Sequence, residues 1–347
     1  MTDVARLRLA AQHVSTTPLA RPEDIVARFG AMQAQDYLGA LWAVGLRLRD
    51  AREPDVERAL AEGRIVRTWP MRGTLHFVAA RDVRWIAELL APRAAAAAAT
   101  RLRTLGLDDR TLDRARTALA GALAGGKRLT RPAAYHVLEH ARVATAGGRG
   151  LHVLWKLAHE LVLCFGPREG KQPTFVLADE WLPRTPRRAR EGALAELARR
   201  YFTSHGPATV ADFAWWSGLP QRDAREAIAL AGDQLEPLVV GDRRYWRGDE
   251  SLPRTRGRVY LLPAFDEWLV GYTDRTAALP ARDARFVNNG GGILNPVIVA
   301  GARVVGTWKR RLARGRVVVE PAAFRTLPAR REYAAAVARY ARFLGVE

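Results

Sequence analysis

Thr130-Arg131-Pro132-Ala133-Ala134-Tyr135-His136-Val137-Leu138-Glu139-His140 opens with a hydroxyl residue suited to cap a helix and a proline where the first turn tolerates one. A short helix running to about His140 follows. Upstream, Asp109 to Ala124 reads as a helix broken by Gly125-Gly126. Downstream, Gly147-Gly148 introduces a third helix, Leu151 to Glu160, with Leu151, Leu154, Trp155 and Ala158 at helical spacing. An apolar strand, Leu161 to Phe165, leads through Gly166 to Gln172 into a returning strand, Thr174 to Leu177. Helix, helix-turn-helix and two-stranded wing is the winged-helix order.

The order repeats after the proline- and arginine-rich connector Pro183 to Arg190. Gly192 to Ser204 is helical, Thr209 caps Val210 to Trp216, Gly218-Leu219-Pro220 turns, and Gln221 to Leu230 forms the next helix. Leu235 to Val240 and Arg243 to Arg247 pair across Gly241-Asp242 as a hairpin. The first hundred residues read as a more elaborate unit, with helices at Val4 to Gln12, Arg21 to Phe29, Tyr37 to Arg49 and Pro54 to Ala61. A strand pair, Ile65 to Trp69 and Thr74 to Val78, then precedes a long helix from Ala80 to Ala99. Strands at Val259 to Leu262, Val297 to Val299, Arg303 to Trp308 and Val317 to Val319, closed by a helix from Ala329 to Leu344, make a β-rich end. The expected fold is α+β and mainly helical: tandem winged helices with a β-rich C-terminal extension. The expected domains are residues 1–105, 106–182 and 190–250 as winged helices, and 251–347 as the extension.

Composition agrees with a multidomain globular protein: 347 residues, 48% hydrophobic and 26% charged, suit two to four small cores. No apolar run approaches the roughly 18 residues of a membrane span. The start, Met1-Thr2-Asp3-Val4-Ala5-Arg6, lacks the order of a secretion signal, so a cytoplasmic, nucleoid-associated protein is expected. A net charge of +19, from 55 basic and 36 acidic residues, invites a polyanionic partner. Clusters at Arg184 to Arg190, Arg303 to Arg316 and Arg325 to Arg331 are interrupted by apolar residues and read as faces of folded elements. The lone Cys164, inside an apolar run, excludes a disulfide framework, a cysteine zinc site and a four-cysteine iron–sulfur cluster.

Gln33-Ala34-Gln35, followed by Asp36-Tyr37, lies between a helix closing at Phe29-Gly30 and an apolar run from Leu38 to Leu48. In an extended segment the two amides point the same way. An amide is no general base at neutral pH, but its oxygen accepts and its nitrogen donates, so two of them can fix one water in an attacking position. Such an arrangement serves only where the bond breaks readily. Asp36 beside the pair could share the role.

Arg28-Phe29-Gly30-Ala31-Met32-Gln33-Ala34-Gln35-Asp36 and Arg67-Thr68-Trp69-Pro70-Met71-Arg72-Gly73-Thr74-Leu75-His76 together resemble the AlkZ-like and YcaQ-like DNA glycosylase superfamily. Cys164 to Gln172, Leu262-Pro263-Ala264-Phe265-Asp266-Glu267 and Val305-Gly306-Thr307-Trp308-Lys309-Arg310 extend the resemblance across nearly the whole chain. Gln-hydrophobic-Gln marks the AlkZ-like branch, where the other branch carries Gln-hydrophobic-Asp. The resemblance implies winged helices cupping duplex DNA, and monofunctional removal of alkylated purines with no metal and no cofactor. It also implies a cleft that tolerates bulky adducts, including interstrand crosslinks. Gln33 and Gln35 are then the catalytic pair, with Asp36, His76 and Asp266 as supporting candidates. Arg72 and the basic strand-loop-strand carrying Arg303, Lys309, Arg310, Arg311, Arg314 and Arg316 are the DNA-binding candidates, the latter as a hairpin that inserts into DNA. The expected partner is double-stranded DNA, bound by a monomer.

Other constellations compete. His136-Val137-Leu138-Glu139-His140 matches the H-x-x-E-H pattern of some zinc peptidases, but on a short helix of a winged motif with no evident third ligand. Asp266, Glu267 and Asp274 are explained by helix capping and pairing with Arg275, although Asp266 could face a DNA cleft. His76 reads as a structural histidine or as a base or phosphate contact. Asn288 to Gly292 lacks the lysine and serine of a phosphate loop, and Trp155, Trp215 and Trp216 fit a core. Only four lysines occur, at 127, 156, 171 and 309, none near the glutamines, which argues against a Schiff-base lyase step. A winged-helix transcription regulator is the rival reading, but it would not need Gln33 and Gln35.

Overall fold

The computed structural model describes residues 3–248, 258–290, 292–313, 315–327 and 329–346. They divide into two compact units, Met1–Glu57 with Leu194–Glu347 and, between them in sequence, Arg58–Ala193. The chain leaves the first unit within one helix and returns to it within another. No described helix is long and apolar enough to cross a membrane.

The first unit begins with α1 (Val4–Ala11), capped by Asp3, and α2 (Pro22–Phe29), whose proline and two carboxylates suit a helix start. Gly30, at φ 78°, ends α2 and turns the chain into the short strand β1 (Met32–Gln33). Next come α3 (Tyr37–Gly45) and α4 (Glu53–Ala61). The sequence predicts that α3 runs to Arg49; it stops four residues earlier. A Cβ on Gly45 would lie 2.1 Å from the Phe343 ring, so the ring closes directly on the backbone there. Arg47 meanwhile turns its guanidinium into a buried ion pair described below.

In the second unit β2 (Ile65–Met71) and β3 (Thr74–Ala79) form an antiparallel hairpin whose turn, Arg72-Gly73, has both residues at positive φ. The long helix expected from Ala80 is divided: a 3₁₀ turn at Ala80–Asp82, then α5 (Val83–Ala97) and α6 (Ala99–Thr104). Asp82 accepts the Trp85 indole N–H at 2.9 Å, which accounts for the tightened start. The winged helix consists of α7 (Asp109–Leu123), strand β4 (Arg128–Thr130), α8 (Arg131–His140), α9 (Arg149–His159) and strands β5 (Leu163–Glu169) and β6 (Gln172–Leu177). Thr130 caps α8 through the Ala133 N–H at 3.4 Å. The sheet order is β4-β6-β5, one strand more than the sequence predicts. Leu112, Leu119, Leu138, Leu154, Leu157 and Phe175 fill the core. Cys164 is fully buried, which pushes its thiol pKa up to about 12. A short helix, α10 (Ala178–Trp181), follows, and Glu180 on it accepts the backbone N–H groups of Gly125 and Gly126.

Back in the first unit, α11 (Arg190–His205), α12 (Val210–Ser217), α13 (Gln221–Ala231) and the hairpin β7 (Leu235–Val240) and β8 (Arg243–Gly248) repeat the winged order. Thr209 and Asp212 form a reciprocal capping box at α12. Trp216 is fully buried, but Trp215, expected in the core, is 49% exposed: it occupies the next position round α12 and points outward, its indole bonded to the Val270 carbonyl. The C-terminal part comprises β9 (Val259–Leu262), α14 (Glu267–Val270), α15 (Ala284–Val287), β10 (Val297–Ala300), β11 (Arg303–Ala313), β12 (Arg316–Ala323) and α16 (Arg330–Leu344). Its antiparallel sheet has the order β12-β11-β10-β9. Tyr340 and Phe343 of α16 pack on Trp42 with ring centroids 5.0 Å apart in both cases. The fold is α+β, built from winged helices with small sheets.

Candidate active site

Exposure along the glutamine segment alternates. Met32 and Ala34 are buried, Gln33 is half-buried and Gln35 is exposed, so both amides belong to the outward set. The backbone beneath them is held from inside the first unit. The Gln33 N–H donates to Glu267 Oε1 at 2.6 Å, and Glu267 is 1% exposed. Its other oxygen accepts the Trp216 indole N–H at 3.1 Å and faces His205 Nε2 at 3.2 Å. Burial lowers the His205 pKa, against the opposing pull of Glu267, so a neutral ring donates through Nε2 to the carboxylate. Nδ1 lies 2.9 Å from Ser204 Oγ, whose hydroxyl donates to the Arg200 carbonyl at 2.7 Å.

A second chain of bonds runs beside the first. Arg47 forks onto Asp266 with two N–H bonds of 2.8 Å, both residues being closed to solvent. Arg47 also donates to Gln12 Oε1 at 2.9 Å, Gln12 donates to Tyr272 Oη at 3.0 Å, and that hydroxyl donates to the His205 carbonyl at 2.7 Å. Phe29, which opens the motif, lies under the Arg47 guanidinium and edge-on to His205. Removing one partner of such a buried pair costs about 3–5 kcal/mol, because the other charge is left buried and unpaired. Asp266 caps α14, as the sequence suggests, by accepting the Trp268 N–H at 2.9 Å. Asp274, by contrast, pairs with Arg243 and Thr276 rather than with Arg275, whose Nε donates to the Leu269 carbonyl. Burial raises the Asp274 pKa, but the bonds from Thr276 and Arg243 outweigh it and bring it to about 2.

Asp36 is exposed at the N-terminus of α3, its carboxylate lying over Gly39, where a Cβ would approach Oδ2 to 2.6 Å. It lines a cavity of about 380 Å³ together with Pro263, Trp308, Lys309, Arg310 and Tyr340. The cavity therefore unites Asp36 with two DNA-binding candidates. Arg310 donates to Tyr340 Oη at 2.5 Å, Arg311 stands 3.5 Å from Glu320, and Arg303 lies 3.6 Å from Asp3. Arg316 begins β12 and is exposed. Arg314 lies outside the described residues. Near the end of the β11–β12 hairpin where the two strands join, Leu312 and Val318 are 59% and 39% exposed.

Within the second unit His76 is buried, its Nδ1 2.9 Å from the Thr74 carbonyl and its Nε2 3.5 Å from Arg72 Nη2. The His136 and His140 rings lie one turn apart on α8, tilted by 59° with centroids 4.3 Å apart, while Glu139 is occupied by the Thr145 N–H and hydroxyl. Among the described residues no group of three histidine, cysteine or carboxylate side chains is arranged to hold a metal ion. Asn289 and Asn295 pair their amides across the loop that begins at Asn288; Gly291 of that loop lies outside the described residues.

Sequence reading missed Glu267 as the anchor of Gln33, and with it His205, Trp216 and Arg47. One signal was present: Arg47 is a solitary charge in the apolar run from Leu38 to Leu48, and such a charge needs a buried partner.

Comparison with known proteins agrees with this architecture. An interstrand DNA cross-link repair glycosylase of Streptomyces sahachiroi is 29% identical over 307 residues, covering 82% of this chain and 81% of the relative. The solved structure of the Streptomyces sahachiroi DNA glycosylase AlkZ superposes with a TM-score of 0.82 at 26% identity, covering 99% of this chain and 96% of that one. With residues 26–343 matching the model of the AlkZ-like DNA glycosylases, the chain belongs to that family and is an enzyme that cleaves N-glycosyl bonds.

Proposed function

We propose that this glycosylase hydrolyses the N-glycosidic bond of cationic alkylated purines, of the N7-alkylguanine and N3-alkyladenine type, with Gln33 and Gln35 holding the attacking water. The observation that carries the proposal is the alternation of exposure from Met32 to Gln35 above a backbone pinned by Glu267. A purine alkylated at N7 or N3 is positively charged, so it departs as a neutral base and leaves an oxocarbenium-like sugar. Leaving-group protonation is then superfluous. The remaining task is to place a water and to stabilise positive charge, for which two amide oxygens and the neighbouring Asp36 carboxylate are suited. Asp266 acts through Arg47 as a positioning residue. No metal or cofactor enters this scheme.

Duplex DNA is gripped by a monomer, chiefly through phosphate contacts. The β11–β12 hairpin suits insertion: Lys309, Arg310, Arg311 and Arg316 surround the exposed Leu312 and Val318, a basic element with an apolar end. The cross-link repair for which the Streptomyces relative is named extends, on this reading, to unhooking of interstrand crosslinks by this chain.

The direct test is release of N7-methylguanine from a duplex oligonucleotide, scored as alkali-cleavable abasic sites. Gln33→Ala and Gln35→Ala should each lower the single-turnover rate by about 100-fold or more while DNA affinity persists, and a chelator should have no effect. Binding without release of any cationic lesion by the unaltered protein would refute the substrate assignment. Full activity in both variants would refute the amide mechanism.

A further inference from the structure

The C-terminal end of α3 and the last turns of α16 border a separate cavity of about 220 Å³ within the first unit. Four arginines, Arg49, Arg258, Arg339 and Arg342, line it against one carboxylate, Asp50. Neither Arg258 nor Arg342 has a carboxylate partner among the described residues. Arg49 donates one bond to the Pro18 carbonyl and Arg339 one to the Leu46 carbonyl, which leaves most of their five donors each for something else. Burial first disfavours the charged form of Arg339; Tyr260 opposes this, and the charges of Arg258, Arg47 and Arg342 add to it. A guanidinium does not deprotonate in a protein, so the four charges, three of them on exposed side chains, favour an anion between them.

Two hydroxyls point to the same ligand. Tyr260, 5% exposed, and Ser15 both line the cavity, and their hydroxyl oxygens, closed to solvent, lack a hydrogen-bond partner among the described residues. We propose that this cavity binds a phosphate-type oxyanion. Its oxygens accept on every side, which matches a lining of guanidinium and hydroxyl donors; a carboxylate would satisfy one arginine fork and little more. The volume suffices for a phosphoryl group with water, being about seven times the ~30 Å³ of one water.

A simpler account places Arg339 and Arg342 at the end of α16 to complement its dipole. That account leaves Arg258 and both hydroxyls unexplained. The carboxyl ends of α3 and α16 oppose an anion by about half a charge each, which is less than the three positive charges left after Asp50 is counted. The site is distinct from the glutamine pair, because Gly45 lies roughly 13 Å along α3 from its start beside Asp36. It does not rest on the excision mechanism.

Inorganic phosphate, titrated at ionic strength held constant with chloride, should raise the Tm of the full chain by a few degrees. The double variant Arg258→Gln/Arg342→Gln should lose that shift, and Tyr260→Phe, which removes only a hydroxyl, should weaken phosphate about tenfold. In phosphate-free buffer Arg342→Gln should match or exceed the parent Tm, because it relieves repulsion; an arginine with a purely structural role would lower it. Repeating the titration with undamaged duplex present identifies the source: competition assigns the site to a DNA backbone phosphate, and independence to a free anion. The absence of a phosphate-dependent shift, or a shift retained by the double variant, would overturn the site.

Discussion

Glu267 shows how one residue sets the geometry of another. Its carboxylate accepts from the Gln33 backbone, the Trp216 indole and His205, so every lone-pair direction in use meets a donor. Glu267→Gln keeps the size but replaces an acceptor with an NH₂ group that must face one of those donors. The cost to stability should be about 1–3 kcal/mol, visible in the Tm. If the contact positions the glutamines, the single-turnover excision rate should fall at least tenfold with DNA affinity unchanged. A loss of Tm with an unaltered rate would reduce Glu267 to a structural residue. The shared outward placement of Gln33 and Gln35 was legible, since a three-residue alternation carries it. Its anchor was not, because the backbone bond joins positions 234 residues apart and Asp266-Glu267 looks like an ordinary helix start in sequence.

Caps and turns reveal elements more readily than long-range contacts do. Thr130, Thr209, Gly218 and Gly241-Asp242 each declared a boundary that the structure keeps, because the physics of a cap or a two-residue turn is local. β4 escaped notice because three residues carry no periodicity, and its partner β6 lies more than forty residues away. The shortening of α3 depends on Phe343, which no local pattern reports. The β11–β12 hairpin was foreseen with strands too short, since Lys309 to Leu312 reads as a charged loop until paired with Val317 to Glu320. As an element it predicts its own DNA chemistry. If Lys309 and Arg311 each meet a phosphate, replacing both with alanine should weaken duplex binding regardless of sequence. It should also reduce the slope of log K against log salt by about 1.8 units, near 0.9 per contact. An unchanged slope would remove these two residues from the interface.

At the scale of the whole molecule, a charge of +19 names a polyanion but not where it binds, and the structure divides the arginines by role. Arg47 and Arg8 are buried in ion pairs, whereas those of β11 and β12 lie largely at the surface. Histidines rather than arginines govern how stability follows pH near neutrality. His205 in the first unit and His159 in the second both have pKa values lowered, chiefly by burial, while in the unfolded chain they titrate near ~6.5. Below that value the unfolded chain binds protons that the folded protein resists, so stability is full above about pH 6.5 and falls as the pH drops. The carboxylates with lowered pKa, Asp108, Glu139, Glu160, Glu180, Glu196 and Asp274, contribute the same sign only at lower pH, below the ordinary values near 4.5 for glutamate and 3.8 for aspartate. Between roughly pH 6.5 and 5 these two histidines therefore contribute a decline in stability. Urea unfolding at half-unit steps should show it, and His159→Gln/His205→Gln, which retains an N–H donor toward Glu267, should flatten that interval while leaving the acid limb below pH 4.5 intact. An equal slope in the variant would mean that both rings titrate alike in the folded and unfolded chain, and that the neutral His205 assigned to the glutamine platform is wrong.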